Sequence, residues 1–293
     1  LDRGRDKLLS HRNLRVWPGR DEKILTAWNG LMIGGMAVAA RVLGRDDLLE
    51  SASRALTFIR AKLVRDGRLL ATCKDGQARY AAYLDDYAFL LDGCLELLQT
   101  RWDSGVLAFS RSLADVLIEH FEDPAGGGFY FTADDHEHLI ERPRPLADEA
   151  TPSGNGIATR ALTRLGHLLA EPRYFDSAER SLKAAWPALE KAAWAHCTLV
   201  DALEEYLDPP EIVILRGVGP ELEEWRRTAS LVYAPGRIVL AIGAGESGLP
   251  PALANKDSGE GIRAWVCRGA TCLPPFDRLP DLMAELRESP AGS

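Results

Sequence analysis

Apolar residues recur at helical spacing from about residue 23 to residue 207, and the pattern restarts after each of two interruptions. Seven segments carry it: 23–43, 46–63, 86–99, 104–121, 153–170, 174–189 and 190–207. In the third, Tyr87, Leu91, Cys94, Leu95 and Leu98 lie on one face; in the fifth, Ile157, Ala161, Leu165, Leu168 and Leu169 do. Units that start near 23, 86 and 153 are spaced by 63 and 67 residues, each a helix, a short link, a helix and a long link. Helical hairpins of this kind cannot bury their apolar faces alone, so the pattern predicts a stack: a solenoid or a closed toroid.

The long links read as β-hairpins. "GRLLATCKDGQARYA" (67–81) has two short strands around Asp75–Gly76, and "GGGFYFTADDHEHLIERP" (126–143) places its turn near Asp134–His136. After "LDPPE" (207–211) the character changes. "EIVILRG", "GRIVLAIG" and "GIRAWVCRG" read as strands, "GPELEEWRRTAS" and "DRLPDLMAELRE" as helices. The expected organisation is a helical-hairpin domain over 1–208 and a small α/β subdomain over 209–293, with Pro209–Pro210 at the boundary. The fold class is therefore mainly α: a partial (α/α)6 toroid with inserted β-hairpins and a C-terminal α/β appendage.

A net charge of −8 without a Lys/Arg run disfavours nucleic acid and anionic membrane surfaces as partners. No charge-free apolar stretch is long enough to span a bilayer, and the charged start lacks the apolar core of an export signal. With five cysteines, an odd number, these features lead to the expectation of reduced thiols and a cytoplasmic location. The missing initiator Met suggests a piece of a longer protein.

In a toroid, the loops that enter the inner helices face a common mouth. Three such stretches are rich in chemistry. "RNLRVWPGRDEKILTAWNGLM" holds Arg12, Arg15, Asp21, Lys23, Trp28 and Asn29; "YLDDYA" holds Asp85, Asp86 and Tyr87; "LADEATPSGNG" holds Asp148, Glu149, Ser153 and Asn155. Carboxylates in pairs suit glycosidic chemistry, because one must be held neutral to protonate a leaving oxygen while the other serves as base or nucleophile. Aromatic rings stack on sugar faces, and the amides of Asn29 and Asn155 both donate to and accept from hydroxyls. Asp85 and Ser153 are assigned as helix caps. Asp86 is assigned as acid/base, with Asp148 or Glu149 as its partner. Trp28, Asn29, Tyr87 and Asn155 are expected to line the site, and Arg12 and Arg15 to hold an anionic substituent, with Asp21 and Lys23 beside them. The competing readings are an ion-pair cluster for Arg12, Arg15, Asp21 and Lys23, and a core role for Trp28. His136 and His138 share a strand face without a third ligand, so no metal site is expected; no cofactor motif occurs either. His196 reads as a satisfied core histidine. Cys267 and Cys272, spaced C-x4-C, depart from the usual redox spacing.

Arg12, Arg15, Pro18, Asp21, Lys23, Leu25, Trp28, Asn29 and Gly30, followed by "LDDYAFL", "GGFYFT", "PSGN" and "AWVCRGATCLPP", resemble the thioredoxin-domain-containing YyaL and spermatogenesis-associated protein 20-like family. The resemblance implies an N-terminal thioredoxin-like domain followed by an (α/α)6 toroid similar to N-acylglucosamine 2-epimerases and six-hairpin glycosidases. This chain shows no thioredoxin-like segment, and seven toroid helices where closure needs twelve. It looks like the C-terminal part of a family member, completed by a missing N-terminal portion or by self-association. The paired histidines of the epimerase relatives fall on no motif position here. The expected function is glycosidase-like or epimerase-like carbohydrate chemistry. The alternative is a non-catalytic sugar- or protein-binding module, with redox work in the missing part.

Overall fold

A computed structural model describes residues 1–137, 140–259 and 261–288. The chain runs α1 (Asp2–Arg12), β1 (Ile24–Leu25), α2 (Thr26–Leu43), α3 (Asp46–Lys62), β2 (Val64–Arg65), β3 (Arg68–Lys74), β4 (Gln77–Ala81), α4 (Leu84–Thr100) and α5 (Ser104–Val116), which a π-helical turn extends through Phe121. Then come α6 (Gly154–Leu169), α7 (Pro172–Ala192), α8 (Cys197–Leu207), β5 (Glu211–Gly217), α9 (Pro220–Ser230), β6 (Arg237–Gly243), α10 (Pro251–Ala254), β7 (Arg263–Arg268), β8 (Thr271–Cys272) and α11 (Leu279–Glu288).

All seven periodic segments are helices. They form two layers: α2, α4, α6 and α8 pack side by side, and α3, α5 and α7 pack behind them. This is an open arc of an (α/α)6 toroid. The closest inner pair is α2–α4, where a Cβ on Gly30 would fall 2.6 Å from the backbone of Phe89 and Leu90, and one on Gly93 would fall 2.6 Å from the Gly30 carbonyl. Glycine is required here because backbone meets backbone. Farther along, an ion ladder crosses all four inner helices: Arg41 (α2) to Glu96 (α4) at 2.7 Å, Glu96 to Arg164 (α6) at 3.1 Å, and Arg164 to Glu205 (α8) at 2.5 Å.

The first insert is the expected hairpin, β3 paired with β4 around Asp75–Gly76, and it also pairs with β1 at the start of α2. The second is not a hairpin. Gly127 and Gly128 turn the chain with positive φ, and among the described residues of the insert one isolated bridge, Glu122–Phe129, forms. The backbone of Phe129 pairs instead with a side chain: its N–H donates to Asn155 Oδ1 at 2.7 Å, and its carbonyl accepts from Asn155 Nδ2 at 2.9 Å. The turn at 133–136 is present, whereas His138 lies outside the described residues. Helix α1 was not anticipated; none of its residues is buried, so no apolar period announces it.

Beyond Pro209–Pro210, a second sheet has the order β6-β5-β7-β8, with β5 and β6 parallel and joined through α9. One face (Ile212, Ile214, Ile238, Leu240, Ile242) joins the apolar core of the helical arc, and the other (Val213, Leu215, Val239) packs on α9 and α11. No described helix is long and apolar enough to cross a membrane.

Candidate functional site

The N-terminal ends of α2, α4, α6 and α8 gather at one end of the arc, and carboxylates tie them together. Asp86, 4% exposed, accepts the Ala27 N–H of α2 on Oδ1 and the Tyr83 N–H ahead of α4 on Oδ2, each at 2.8 Å. Asp148 does the same for the next pair, accepting the Ser153 N–H before α6 at 2.8 Å, the Thr198 N–H of α8 at 2.9 Å, and the Thr198 hydroxyl. The physical reason is common to both. Each helix start leaves N–H groups without partners and carries a partial positive charge, and a carboxylate satisfies both.

The cap expected of Asp85 therefore belongs to Asp86, which was expected as the acid/base, because both of its oxygens are taken by backbone amides. Asp85 is partly buried, with no hydrogen-bond partner among the described residues. A Cβ on Gly154 would fall 2.2 Å from Asp85 Oδ1, so the carboxyl sits against the first turn of α6. Burial, and then the charge of Glu149, pushes the Asp85 carboxyl up to about 6. Burial pushes Asp86 up to about 7, against its two amide donors. Burial also acts to raise Asp148, but the Thr198 hydroxyl and the Thr198 and Ser153 amides outweigh it and hold the carboxyl below the usual range. Glu149 is exposed.

Other expected site residues fall elsewhere. Tyr87 is 1% exposed; its hydroxyl accepts the Leu69 N–H at 2.8 Å and its ring packs on Phe121, which makes it a tie to β3 rather than a sugar platform. Asn155 is buried and spends its amide on Phe129 and on the Pro145 carbonyl, so it is unavailable to a ligand. Asn29 donates to the Leu25 carbonyl at 2.8 Å. Asp21 and Lys23 form an exposed pair at 3.2 Å; Arg12 lies over the Trp17 ring, and Arg15 is exposed. Among the described residues, no hydrogen bond or ion pair joins these four to the helix-end carboxylates. Ser153 caps α6 as expected, with Oγ accepting the Gly156 N–H. His196 is buried with Nδ1 on the Ala192 carbonyl, as a satisfied core histidine.

Two aromatic side chains stand exposed where inner helices begin: Trp28 in the first turn of α2, and Trp194 just before α8, at 65% and 82%. Trp194 and Thr198 were not anticipated. The signal was present, since α8 is the fourth inner helix and its start continues the series set by the other three. Cavities of about 540 and 320 Å³ lie at the other end of these helices, where both touch Arg41 and face α9 and β6.

By fold, this is part of an (α/α)6 toroid. A GH76 α-mannanase of Bacteroides thetaiotaomicron aligns with it at a TM-score of 0.50 and 13% identity, over 64% of this chain and 54% of the mannanase. In sequence, the chain is a homologue of the spermatogenesis-associated protein 20 proteins. It is 30% identical to that of Rattus norvegicus over 254 residues, and 27% identical to that of Homo sapiens over 294 residues. These matches cover 82% and 94% of this chain but 32% and 37% of the relatives, so the chain spans about a third of their length. No family model matches it.

Proposed function

We propose that the gathered N-terminal ends of α2, α4, α6 and α8 form a carbohydrate site, and that Asp85 acts there as general acid with Glu149 as its partner carboxylate. The observation that carries this reading is the contrast within one dipeptide. Asp86 has both oxygens committed to backbone amides, whereas Asp85 keeps its carboxyl free, partly buried and raised to about 6 beside Glu149. A carboxyl with that value is substantially protonated just below neutrality and can give its proton to a departing glycosidic oxygen. Glu149, exposed, then serves as base or nucleophile. Trp28 and Trp194 offer ring faces at the rim for the apolar face of a sugar. The mannanase of the same fold supports a sugar as the ligand class, by analogy of architecture.

The test is turnover of an oligosaccharide panel by the wild-type chain and by Asp85→Asn. The expected loss is about 10²- to 10⁴-fold with the melting temperature retained. Sugar binding without turnover in the wild type would replace catalysis with a binding module, and equal turnover by both proteins would remove Asp85 from the chemistry.

A further inference from the structure

Cys267 and Cys272 stand directly opposite each other in the β7–β8 ladder and are joined as a disulfide. The two sulfurs face different surroundings: Cys267 is 7% exposed, within the sheet beside Ile212, whereas Cys272 is on the exposed edge strand. Beside Cys272, the Lys256 ammonium donates to Sγ at 3.4 Å. An accessible sulfur, an inaccessible partner that holds the pair in register, and a cation at the accessible sulfur are the parts of an exchange site, since a nearby ammonium stabilises a thiolate.

We propose that Cys267–Cys272 is a reversible thiol–disulfide site that exchanges with a low-molecular-weight monothiol. A thiolate RS⁻ attacks the exposed Cys272 Sγ. The protein S–S bond breaks, an RS–Cys272 bond forms, and the electron pair leaves on Cys267 Sγ, which takes a proton from solvent. A second RS⁻ attacks the R sulfur of this mixed disulfide, releasing RSSR and the Cys272 thiolate beside Lys256. In sum, two RSH are oxidised to RSSR as the protein disulfide is reduced to a dithiol, and excess RSSR runs the sequence backwards.

The experiment uses the whole chain in native buffer. After oxidation with glutathione disulfide, it is incubated with millimolar reduced glutathione, quenched with acid, then alkylated in denaturant so that the buried Cys267 is reached, and mapped by mass spectrometry. The expected result is alkylation of Cys267 and Cys272 together, with a glutathionyl adduct on Cys272 at early times. Lys256→Met should slow the completing step by roughly threefold to tenfold, and Lys256→Arg should restore it. Reduction that occurs only in denaturant, or a pair that glutathione disulfide does not oxidise, would overturn the proposal. An adduct on Cys267 instead of Cys272 would overturn the assigned direction of attack.

Discussion

Asp85 and Asp86 differ by one position and have opposite situations. The Asp86 side chain hydrogen-bonds the starts of α2 and α4 together, so Asp86→Ala leaves two part-buried helix-end N–H groups without this acceptor. The expected cost is about 2–4 kcal/mol, combining the loss of a cap with burial of an unsatisfied donor, and denaturant titration measures it. Asp85→Asn removes no hydrogen bond found among the described residues, and below about pH 4, where both side chains are neutral, the melting temperature should be nearly unchanged. The two carboxyls also set a pH dependence. Both are raised in the folded chain, to about 6 and about 7, above the ordinary aspartate value. A raised carboxyl means that the folded state binds the extra proton more tightly, so this contribution is complete below about pH 4 and is lost as pH climbs towards 7. Over that window, the stability of the wild type should fall relative to that of Asp85→Asn, which lacks one of the two titrations; paired denaturation curves at several pH values test it.

Among the elements, α2 against α4 is the tightest contact. Gly30→Ala would press a methyl group into the backbone of Leu90, which cannot rotate away, so about 1–3 kcal/mol of destabilisation is expected in chemical denaturation. In the ion ladder, Arg164 faces Glu96 and Glu205 with little exposure, and Arg164→Met should cost about 3–5 kcal/mol because it takes from Glu205 the cation it pairs with among the described residues, while Glu96 keeps Arg41. Helices were legible in the sequence where one face is buried, as in α4 and α6, because burial writes the apolar period. Helix α1 buries nothing and writes no period. The hairpin of β3 and β4 was legible from Asp75–Gly76, whereas the extended run at Phe129 was misread because its partner is the Asn155 amide, 26 residues away. The candidate site was legible as a place, from the starts of the helices. Its roles were not: which aspartate caps depends on which helix end lies across from it, and Asp148 reaches Thr198 at a separation of 50 residues.

At the scale of the whole molecule, the C-terminal sheet and the helical arc share one apolar core through Ile212, Ile214, Ile238, Leu240 and Ile242. Unfolding followed by tryptophan fluorescence and by far-UV circular dichroism should therefore give coincident transitions. The arc also turns the starts of its four inner helices, and with them Asp85, Asp86 and Asp148, towards one end. Whether that end is a working site comes down to the state of one side chain. Titration of the Asp85 carboxyl by ¹³C NMR, with and without saturating oligosaccharide, addresses it most directly. The expected midpoint is about 6 and moves when the sugar binds; a midpoint near the ordinary aspartate value of about 4, unmoved by sugar, would contradict a working site at this end.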